Sequence, residues 1–409
     1  GLAKKDHPFS PQRLIVADHN LSSNTIESLY VLSKKYGLAI GKLPKISSFS
    51  INPSEKFSDN PIVIEDVLGR KQKVYDHNLL KDISNKTVLV TGAGGSIGSE
   101  LCRQINSLNP KLLILLEANE HNLYKISYEL NHKTLPTLTD IKDFNKVEKL
   151  LKIHKPDIVF HAAALKHITF VEDEPVEALK TNFLATVKLC QLCKLYEIKK
   201  LVFISTDKAV NPTNIMGATK RLCEKYIQRI AIGAEKTIFS IVRFGNVLGS
   251  TGSVVPLFKK QIQSGGPLTI TDPKVSRYFM TIREAVELVL ISSQLKSKNN
   301  GEIFILEMGK SVLIKDLAKR MILLSGKNDK EIEIKYTGLR KGEKLSEELS
   351  FENEKVKNTG IEGIMSTSDC LYQSEVSNYN NLISQIQNNK IDESMNTLKK
   401  LLPEYKFER

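Results

Sequence analysis

The amino-acid sequence predicts an α/β protein with a doubly wound parallel sheet, and three observations support this fold class. Short apolar segments alternate with longer amphipathic ones between residues 86 and 246. The apolar segments are continuous rather than alternating, which is typical of strands buried on both faces of a parallel sheet. A glycine-rich turn joins the first such strand to the first helix. A smaller C-terminal region and a small N-terminal segment complete the predicted architecture.

The alternation can be assigned element by element. The apolar segments have the usual length of strands, whereas the intervening segments carry apolar residues three and four positions apart, as helices do. Strands are predicted at residues 87–90, 111–116, 136–140, 157–162, 201–205 and 237–244, and helices at 96–105, 119–130, 144–154, 176–196 and 215–230. Before this region, residues 13–17 suit a strand, residues 25–36 suit a helix, and residues 44–61 are rich in Pro, Ser and Asn. After Asn246 the pattern breaks into glycine-rich loops, as expected for a region that closes over a substrate.

Composition narrows the class of protein. The chain has 409 residues, of which 41% are hydrophobic and 26% charged, as in soluble globular enzymes. Its 59 Lys and Arg against 46 Asp and Glu indicate an anionic partner. The basic residues are scattered beside acidic ones, without an aromatic-interleaved stripe, so we expect a phosphorylated small molecule rather than nucleic acid. No segment reaches the roughly 18 apolar residues of a membrane span.

The cysteines do not predict a disulfide framework or a metal site. There are five in the whole chain, and Cys190 and Cys193 form a CxxC inside an apolar helical segment without a second pair. We interpret both as core-facing thiols in a reducing compartment. His161 and His167 flank a predicted strand end, but no third residue is spaced to complete a metal site. We therefore expect no metal.

The glycine-rich turn predicts a dinucleotide site. It runs Thr91-Gly92-Ala-Gly-Gly95-Ser96-Ile97-Gly98, between a strand and a helix. Glycine is needed where the chain turns sharply and where backbone approaches a pyrophosphate, and the helix N-terminus favours the phosphate charge. Glu117 ends the next strand. Its carboxylate can accept hydrogen bonds from the ribose hydroxyls and would repel a 2′-phosphate, so the predicted cofactor is NAD rather than NADP.

The spacing Gly92/Gly95/Gly98 resembles that of the extended short-chain dehydrogenases/reductases, which have a Rossmann fold. The resemblance covers residues 86 to about 350. It implies an adenine contact at Asp140 and Ile141, passage of the backbone along the cofactor at Ala162 and Ala163, and a role for Asn182 on the following helix. It further implies three parts: an N-terminal linker at residues 1–80, an NAD-binding Rossmann domain at 81–246, and a mainly substrate-binding region at 247–409 from which some elements return to the sheet.

The segment from Ser205 to Lys220 follows a strand end, where open α/β sheets place their ligands. Short-chain dehydrogenases usually carry Tyr-x-x-x-Lys here, in which the lysine holds the nicotinamide ribose and the tyrosine takes the hydroxyl proton. This chain keeps Lys220 but has Met216 in the tyrosine position. A thioether can neither accept nor deliver a proton at neutral pH. The proton of the sugar hydroxyl must therefore leave by another route, through Thr206, Asp207, Lys220 or water.

The pair Asp207-Lys208 is similar to that of the sugar 4,6-dehydratases of the CapD-like polysaccharide-biosynthesis group, which act on UDP-N-acetylglucosamine. The segments at residues 340–345 and 64–70 also resemble motifs of that group. With methionine in place of tyrosine, the sequence is most similar to the PglF type of bacterial protein glycosylation. Full-length members have transmembrane helices ahead of the soluble part. The resemblance thus implies a homo-oligomer on the cytoplasmic face of the bacterial inner membrane, with residues 1–409 forming its soluble part.

In that chemistry, hydride transfer from sugar C4 to NAD acidifies the C5 proton, a base removes it, an acid protonates the departing C6 hydroxyl, and hydride returns to C6. We predict Asp207 as the acid and Lys208 as the base. Lys208 must be neutral to act, and we expect Lys220 and the nicotinamide charge to lower its pKa. Thr206 can hydrogen-bond the C4 oxygen.

The substrate residues are predicted mainly from their order along the chain. Planar guanidinium groups match phosphate oxygens in pairs, so two arginines are assigned to the diphosphate. The assignments are Asn246, Arg277 and Arg340 for the diphosphate, Glu343 for the uridine ribose, Pro256 and Thr269 for the uracil region, and Lys166 for the sugar.

Two other functions remain open. A UDP-sugar 4-epimerase would also begin with C4 oxidation, but it has no use for Asp207 and Lys208 and would suffer more from the loss of the tyrosine. A non-catalytic NAD-binding scaffold or sensor is suggested by Met216. Product mass after incubation with UDP-N-acetylglucosamine and NAD separates the three.

Overall fold

The computed structural model describes residues 13–17, 21, 23–36, 38–42, 77–130, 133–295, 299–325, 327, 330–367 and 376–406. The sequence motif at residues 64–70 and the segment at 44–61 lie outside them. The chain forms two compact units. The larger comprises residues 74–253, 274–312 and 338–409, and the smaller comprises residues 1–73, 254–273 and 313–337.

The strands of the described residues are numbered along the chain. They are β1 (Arg13–Val16), β2 (Ala39–Lys42), β3 (Thr87–Thr91), β4 (Leu112–Glu117), β5 (Thr134–Leu138), β6 (Ile158–His161), β7 (Lys200–Ile204), β8 (Ile238–Arg243), β9 (Asn246–Leu248), β10 (Leu268–Ile270), β11 (Ser276–Arg277), β12 (Phe279–Thr281), β13 (Glu302–Leu306), β14 (Val312–Leu313), β15 (Ile334–Tyr336), β16 (Lys357–Asn358) and β17 (Ile364–Thr367).

Helices connect most of these strands. The α-helices are Ser23–Lys35, Ser96–Ser107, Glu120–Glu129, Phe144–His154, Ile168–Asp173, Pro175–Ala178, Ala185–Leu195, Ile215–Ile232, Val254–Gln263, Ile282–Gln294, Ile314–Leu324, Val376–Gln387 and Ile391–Leu401. A π-helical segment spans Leu179–Leu184, and 3-10 turns span His77–Ile83 and Asp207–Ala209. Within the described residues, no helix is long and apolar enough to cross a membrane.

The larger unit is built on one central sheet. In the described part of the chain it has nine strands in the order β16-β17-β13-β8-β7-β6-β3-β4-β5. The strands from β13 to β5 are all parallel, whereas β17 is antiparallel to β13 and to β16. Three of the C-terminal strands therefore lie in the same sheet as the glycine turn.

Two hydrophobic cores lie on opposite faces of this sheet, as the alternation of side chains along each strand shows. Leu89 belongs to one core, whereas its neighbours Val88 and Val90 belong to the other. Phe203 and Val202 divide in the same way on β7. A parallel sheet with both faces covered requires strands that are apolar throughout, which explains why they read as continuous runs. The predicted doubly wound α/β fold is confirmed.

Many element boundaries differ from the prediction by one or two residues, and two elements differ in a way that has a structural reason. Strand β5 begins at Thr134, two residues before the predicted start, and includes Pro136. Proline is tolerated there because β5 is an edge strand, where its missing N–H breaks no ladder. The helix predicted at residues 176–196 contains the π-helical segment Leu179–Leu184. Cys190 and Cys193 are fully buried in the core, as predicted.

The described part of the smaller unit has its own packing. Strand β10 pairs parallel with β15, and β1 pairs parallel with β2. Helices Val254–Gln263 and Ile314–Leu324 bury apolar side chains that include Phe258 and Leu317.

Candidate active site

The glycine turn follows β3 and leads into helix Ser96–Ser107. Gly92 has a φ of 66°, and a Cβ atom added there would lie 2.8 Å from Ala163 Cα. A Cβ atom on Gly98 would collide with the carbonyl oxygen of Gly92. The turn therefore needs glycine at both positions, and it leads directly into the helix N-terminus at Ser96 and Ile97, whose free N–H groups can bind an anion.

Glu117, at the end of β4, is buried beside the glycine turn. Gly94 N donates to Oε2 at 2.9 Å, and Asn119 N donates to Oε1 at 3.0 Å. Each carboxylate oxygen retains a further lone pair, so the group can still accept ribose hydroxyls. Asp140 and Ile141 follow the next strand. Asp140 is exposed and accepts a hydrogen bond from Lys142 N at 2.8 Å, whereas Ile141 is buried.

His161, at the end of β6, is a structural residue. Its Nδ1 lies 2.7 Å from Thr91 Oγ1, and its Nε2 lies 2.9 Å from Thr186 Oγ1. Burial and the charge of Lys220 lower the pKa of His161 to about 3, so the imidazole is neutral. Thr91 also accepts two backbone hydrogen bonds. Ala162 N donates to its carbonyl oxygen, and Ala163 N donates to its hydroxyl oxygen. This network brings Ala162 and Ala163 against the glycine turn, where the sequence predicts backbone contact with a cofactor.

Asn182 ties the segment after β6 to the helix that carries Lys220. Its Oδ1 accepts Leu165 N at 2.8 Å, and its Nδ2 donates to Leu165 O and to Thr219 Oγ1, both at 3.0 Å. It lies in the π-helical segment, and such segments are frequent at functional sites. Beyond Leu165, Lys166 Nζ donates to Thr251 O at 2.9 Å.

The segment after β7 forms a buried hydrogen-bonded group. Thr206 Oγ1 donates to Asp207 Oδ1 at 2.9 Å, and Lys208 Nζ donates to the same oxygen at 3.0 Å. Lys208 Nζ also donates to Asn246 Oδ1 at 2.9 Å. Asp207 is fully buried, and among the described residues its Oδ2 has no hydrogen-bond partner. A buried carboxylate oxygen without a partner is costly in a resting protein and indicates a group kept for chemistry.

The pKa of Lys208 shifts in the direction opposite to our expectation. Burial lowers it, and the charges of Asp207 and Glu347 raise it by more, so the pKa lies above its ordinary value. Arg277 lowers it in part. The prediction of a lowered pKa is therefore wrong for the chain by itself, because two carboxylates, rather than Lys220, are the charges nearest to the ammonium group.

Lys220 is the lysine whose pKa is lowered. Burial lowers it to about 8, against smaller opposing effects of Cys223 and Glu224. Its Nζ donates to Ile204 O at 2.8 Å and lies 4.4 Å from the centre of the Phe203 ring. Met216, one turn earlier on the same helix, is buried and packs in the hydrophobic core.

A buried ion network supports this segment from behind. Ser205 Oγ donates to Glu224 Oε1 at 2.6 Å, and Glu224 pairs with Arg243 at 2.8 Å and with Arg221 at 3.1 Å. Arg243 also pairs with Glu354 at 2.9 Å. Because removal of one member leaves uncompensated buried charge, the network fixes the strand end that precedes Thr206.

Three of the predicted substrate residues are connected to Lys208 by polar contacts, one directly and two through other side chains. Asn246 contacts it directly, and Arg277 Nη2 donates to Glu343 Oε1 at 3.1 Å. Glu347, which we had not predicted, links the two groups: its Oε1 lies 3.6 Å from Lys208 Nζ and 3.9 Å from Arg277 Nε. The only sequence signal for Glu347 is its place just after the motif at residues 340–345.

The remaining predicted residues take other positions. Arg340 is exposed, and its backbone N donates to Glu343 Oε2 at 3.3 Å. Pro256 and Thr269 belong to the smaller unit. Pro256 is in helix Val254–Gln263, and Thr269 Oγ1 accepts a hydrogen bond from Gln261 Nε2 at 2.8 Å. In the described part of the chain, no group of three or more His, Cys, Asp or Glu side chains could hold a metal ion.

Comparisons with known proteins identify the family. Residues 88–369 match the family described as polysaccharide biosynthesis protein, so the chain belongs to that family. It is 44% identical over 353 residues to the capsular polysaccharide biosynthesis protein CapD of Staphylococcus aureus, covering 85% of this chain and 59% of that protein. The predicted resemblance to the CapD-like group is confirmed at this level. The chain spans 59% and 58% of the length of the first two curated relatives that it matches.

More distant relatives carry two different activities in their names. The chain is 34% identical to a UDP-N-acetylglucosamine 4,6-dehydratase (inverting) of Campylobacter jejuni over 270 residues, which cover 64% of this chain and 77% of that protein. It is also 34% identical to a UDP-glucose 4-epimerase of Rickettsia bellii over 280 residues, which cover 67% and 80% respectively.

Solved structures agree on the fold. The structure of Pen from Bacillus thuringiensis aligns with a TM-score of 0.65 at 33% identity, covering 71% of this chain and 90% of that one. A Thermus thermophilus UDP-glucose 4-epimerase in complex with NAD aligns with a TM-score of 0.55 at 22% identity, covering 64% and 90% respectively. At that identity the likeness is one of fold.

Proposed function

We propose that this protein catalyses the NAD-dependent 4,6-dehydration of a UDP-sugar, most simply UDP-N-acetylglucosamine, to UDP-2-acetamido-2,6-dideoxy-hexos-4-ulose. The observation that supports this is the group Thr206, Asp207 and Lys208, in which the buried Asp207 carboxylate accepts hydrogen bonds from both a hydroxyl and an ammonium. An elimination needs an acid and a base side by side, and this pair supplies both. The Campylobacter relative named as a dehydratase supports the same reaction.

The residues present fit NAD. A Cβ at Gly92 or Gly98 would collide with neighbouring backbone, so the glycines allow the tight turn that joins β3 to the N-terminus of helix Ser96–Ser107, where a pyrophosphate can be bound. We propose that Thr91, Gly95 and the backbone of Ser96 and Ile97 hold the pyrophosphate, Glu117 the adenosine ribose, and Lys220 the nicotinamide ribose. Asp140, Ile141, Ala162 and Ala163 would complete the site. NAD, when bound, accepts hydride from sugar C4 and returns it to C6.

The first proton transfer can proceed without a tyrosine. Thr206 already donates its hydroxyl proton to Asp207 Oδ1 at 2.9 Å. As the C4 hydroxyl is oxidised, Thr206 can receive its proton while passing its own to Asp207. Of the routes left open by the sequence, this is the one that an existing hydrogen bond supports. Asp207 is then the protonated acid that the next step requires.

The elimination uses the same proton. Lys208 removes the C5 proton, and Asp207 gives its proton to the departing C6 oxygen, so that the proton relayed from the C4 hydroxyl through Thr206 leaves as part of the water. When hydride returns to C6, Lys208 reprotonates C5. Each group ends in its starting protonation state, which is required for turnover. Asn246, Arg277, Arg340 and Glu343 are proposed to bind the UDP portion, with Lys166 at the sugar.

Cofactor preference gives the first prediction. Glu117 is held by two backbone N–H groups beside the glycine turn and would repel a 2′-phosphate. We expect NAD to bind more than about tenfold tighter than NADP, or about 1.4 kcal/mol. Calorimetry with both dinucleotides measures this ratio. Equal affinities would place the adenosine ribose away from Glu117.

The methionine gives the second prediction. Met216 packs in the core and carries no proton, so Met216→Leu should keep turnover within about tenfold of the wild-type rate. Met216→Tyr should bring no large gain, because the Thr206–Asp207 route already accepts the C4 proton. Steady-state rates of the two variants test this. A hundredfold gain for Met216→Tyr would show that the site depends on the missing tyrosine.

Product mass tests the proposed function. Incubation with UDP-N-acetylglucosamine and NAD should give a product lighter by one water. The relatives named as epimerases support a second candidate, a UDP-sugar 4-epimerase, which would leave the mass unchanged and alter the stereochemistry. No reaction at all would favour a non-catalytic NAD-binding protein. The placement of the full-length protein at the cytoplasmic face of the inner membrane, its assembly as a homo-oligomer and the PglF type stay predictions from the sequence resemblance.

A further inference from the structure

We propose that Glu347 is a positioning residue of the active site, which holds the Lys208 ammonium group in place and receives the proton that Lys208 must lose before it can act as a base. This rests on the proposed function. It assigns a role to a buried carboxylate that neither the family motifs nor the acid–base pair accounts for.

The geometry around Lys208 carries the inference. Within the described residues, its Nζ has three polar neighbours: Asp207 Oδ1 at 3.0 Å, Asn246 Oδ1 at 2.9 Å and Glu347 Oε1 at 3.6 Å. Asn246 is an amide and cannot hold a proton. Asp207 is occupied by the C4 proton during the elimination. Of these three neighbours, Glu347 is the one left to accept a proton.

Glu347 is also buried, with one carboxylate oxygen that makes no hydrogen bond in the described part of the chain. Its side chain is 4% exposed, and among the described residues its Oε2 has no hydrogen-bond partner. An oxygen without a partner is not committed to a structural hydrogen bond. Arg277 Nε lies 3.9 Å from Oε1, and the same guanidinium also pairs with Glu343.

The proton count closes with this step. In the resting protein Lys208 is an ammonium, because burial lowers its pKa but Asp207 and Glu347 raise it by more. When Asp207 takes up the C4 proton, one of the two charges that stabilise the ammonium is lost. An N–H bond of Lys208 can then break as an O–H bond of Glu347 forms. Lys208 is neutral for the C5 proton, and Glu347 returns its proton after C5 has been reprotonated.

A pair of matched variants tests the proposal. Glu347→Gln keeps the shape of the side chain but cannot accept a proton. Glu348→Gln makes the same change at the next residue, whose carboxylate lies 3.6 Å from Lys344 Nζ and accepts from Asn211. Exchange of the C5 proton with deuterated solvent, followed by NMR on UDP-N-acetylglucosamine with NAD from about pH 6 to about pH 9, is the kinetic readout.

In the wild type and Glu348→Gln we expect exchange to vary little with pH, because the Lys208 proton stays inside the site. In Glu347→Gln that proton must go to solvent, so exchange should fall at least about tenfold near neutral pH and rise with pH by up to about tenfold per unit. A Glu347→Gln profile that is merely scaled down from the wild type, with the same pH dependence, would show that Glu347 only supports the fold.

A second readout does not depend on activity. The pKa of Lys208 can be followed by NMR of lysine labelled at Cε, with its resonance assigned by its loss in Lys208→Arg. Because a carboxylate beside an ammonium raises its pKa, Glu347→Gln should lower the Lys208 pKa by about one unit or more, and Glu348→Gln should leave it unchanged. If the wild type performs no dehydration, the proposed function fails, and this titration still decides whether Glu347 acts on Lys208. An unchanged Lys208 pKa in Glu347→Gln would overturn the proposal.

Discussion

Asp207→Asn is expected to lower turnover at least about a hundredfold, the usual contribution of a general acid–base group. The amide cannot take a proton from Thr206, so the C4 proton has no acceptor, and it cannot protonate the departing C6 oxygen. Both the oxidation and the elimination should therefore fail. Nicotinamide absorbance in a single turnover measures the oxidation, and product mass measures the elimination.

The matched control for this substitution is Asp143→Asn. Asp143 caps helix Phe144–His154 by accepting Lys146 N at 3.1 Å, and asparagine caps a helix equally well. Its turnover should equal that of the wild type. Oxidation at the wild-type rate in Asp207→Asn would mean that the C4 proton does not pass through Asp207, and the role of the Thr206 hydrogen bond would have to be abandoned.

Lys208→Met should lower the rate of dehydration at least about a hundredfold, but for a different reason: it removes the base and leaves the acid in place. The variant keeps the apolar stem of the side chain but removes the amine, while Thr206 and Asp207 remain hydrogen-bonded partners. We expect reduced nicotinamide to form with added UDP-N-acetylglucosamine, whereas exchange of the C5 proton with deuterated water disappears.

Lys199→Met is the control for the loss of an amine. Lys199 is exposed just before β7 and pairs with Asp157 at 2.7 Å, so its substitution removes only a surface ion pair worth about 0–1 kcal/mol. Normal C5 exchange in Lys208→Met would assign the base to another group. The inference about Glu347 would then lose its basis, because Glu347 is argued to act through Lys208.

Local signals in the sequence were sufficient to predict the fold. Continuous apolar strands, helical periodicity and the glycine turn depend on residues near one another in the chain, and the structure places them on a doubly wound sheet. The π-helical segment at Leu179–Leu184 was not predicted from helical periodicity, and neither were the tertiary hydrogen bonds that Asn182 within it makes to Leu165 and Thr219. The position of Pro136 depends on which strand lies at the sheet edge, which is also a tertiary property.

The site was predicted in its residue types but not in its electrostatics. Asp207 and Lys208 are adjacent in the sequence, and their contact could be expected. The raised pKa of Lys208 could not, because part of its cause is Glu347, a residue brought from a distant part of the chain. The sequence likewise left the route of the C4 proton open, and the route that we propose rests on the Thr206–Asp207 hydrogen bond, which the sequence does not show. Interactions between charged residues that are distant in the sequence could not be predicted before the fold was known.

The central claim is that one group of side chains, Thr206, Asp207 and Lys208, moves the protons both for the oxidation of C4 by NAD and for the loss of water across C5 and C6. It is tested most directly with UDP-N-acetylglucosamine carrying deuterium at C4, incubated with the protein and unlabelled NAD. The account predicts a product that has lost one water and carries the deuterium at C6. A product of unchanged mass with deuterium still at C4 and altered stereochemistry would contradict it and identify a 4-epimerase instead.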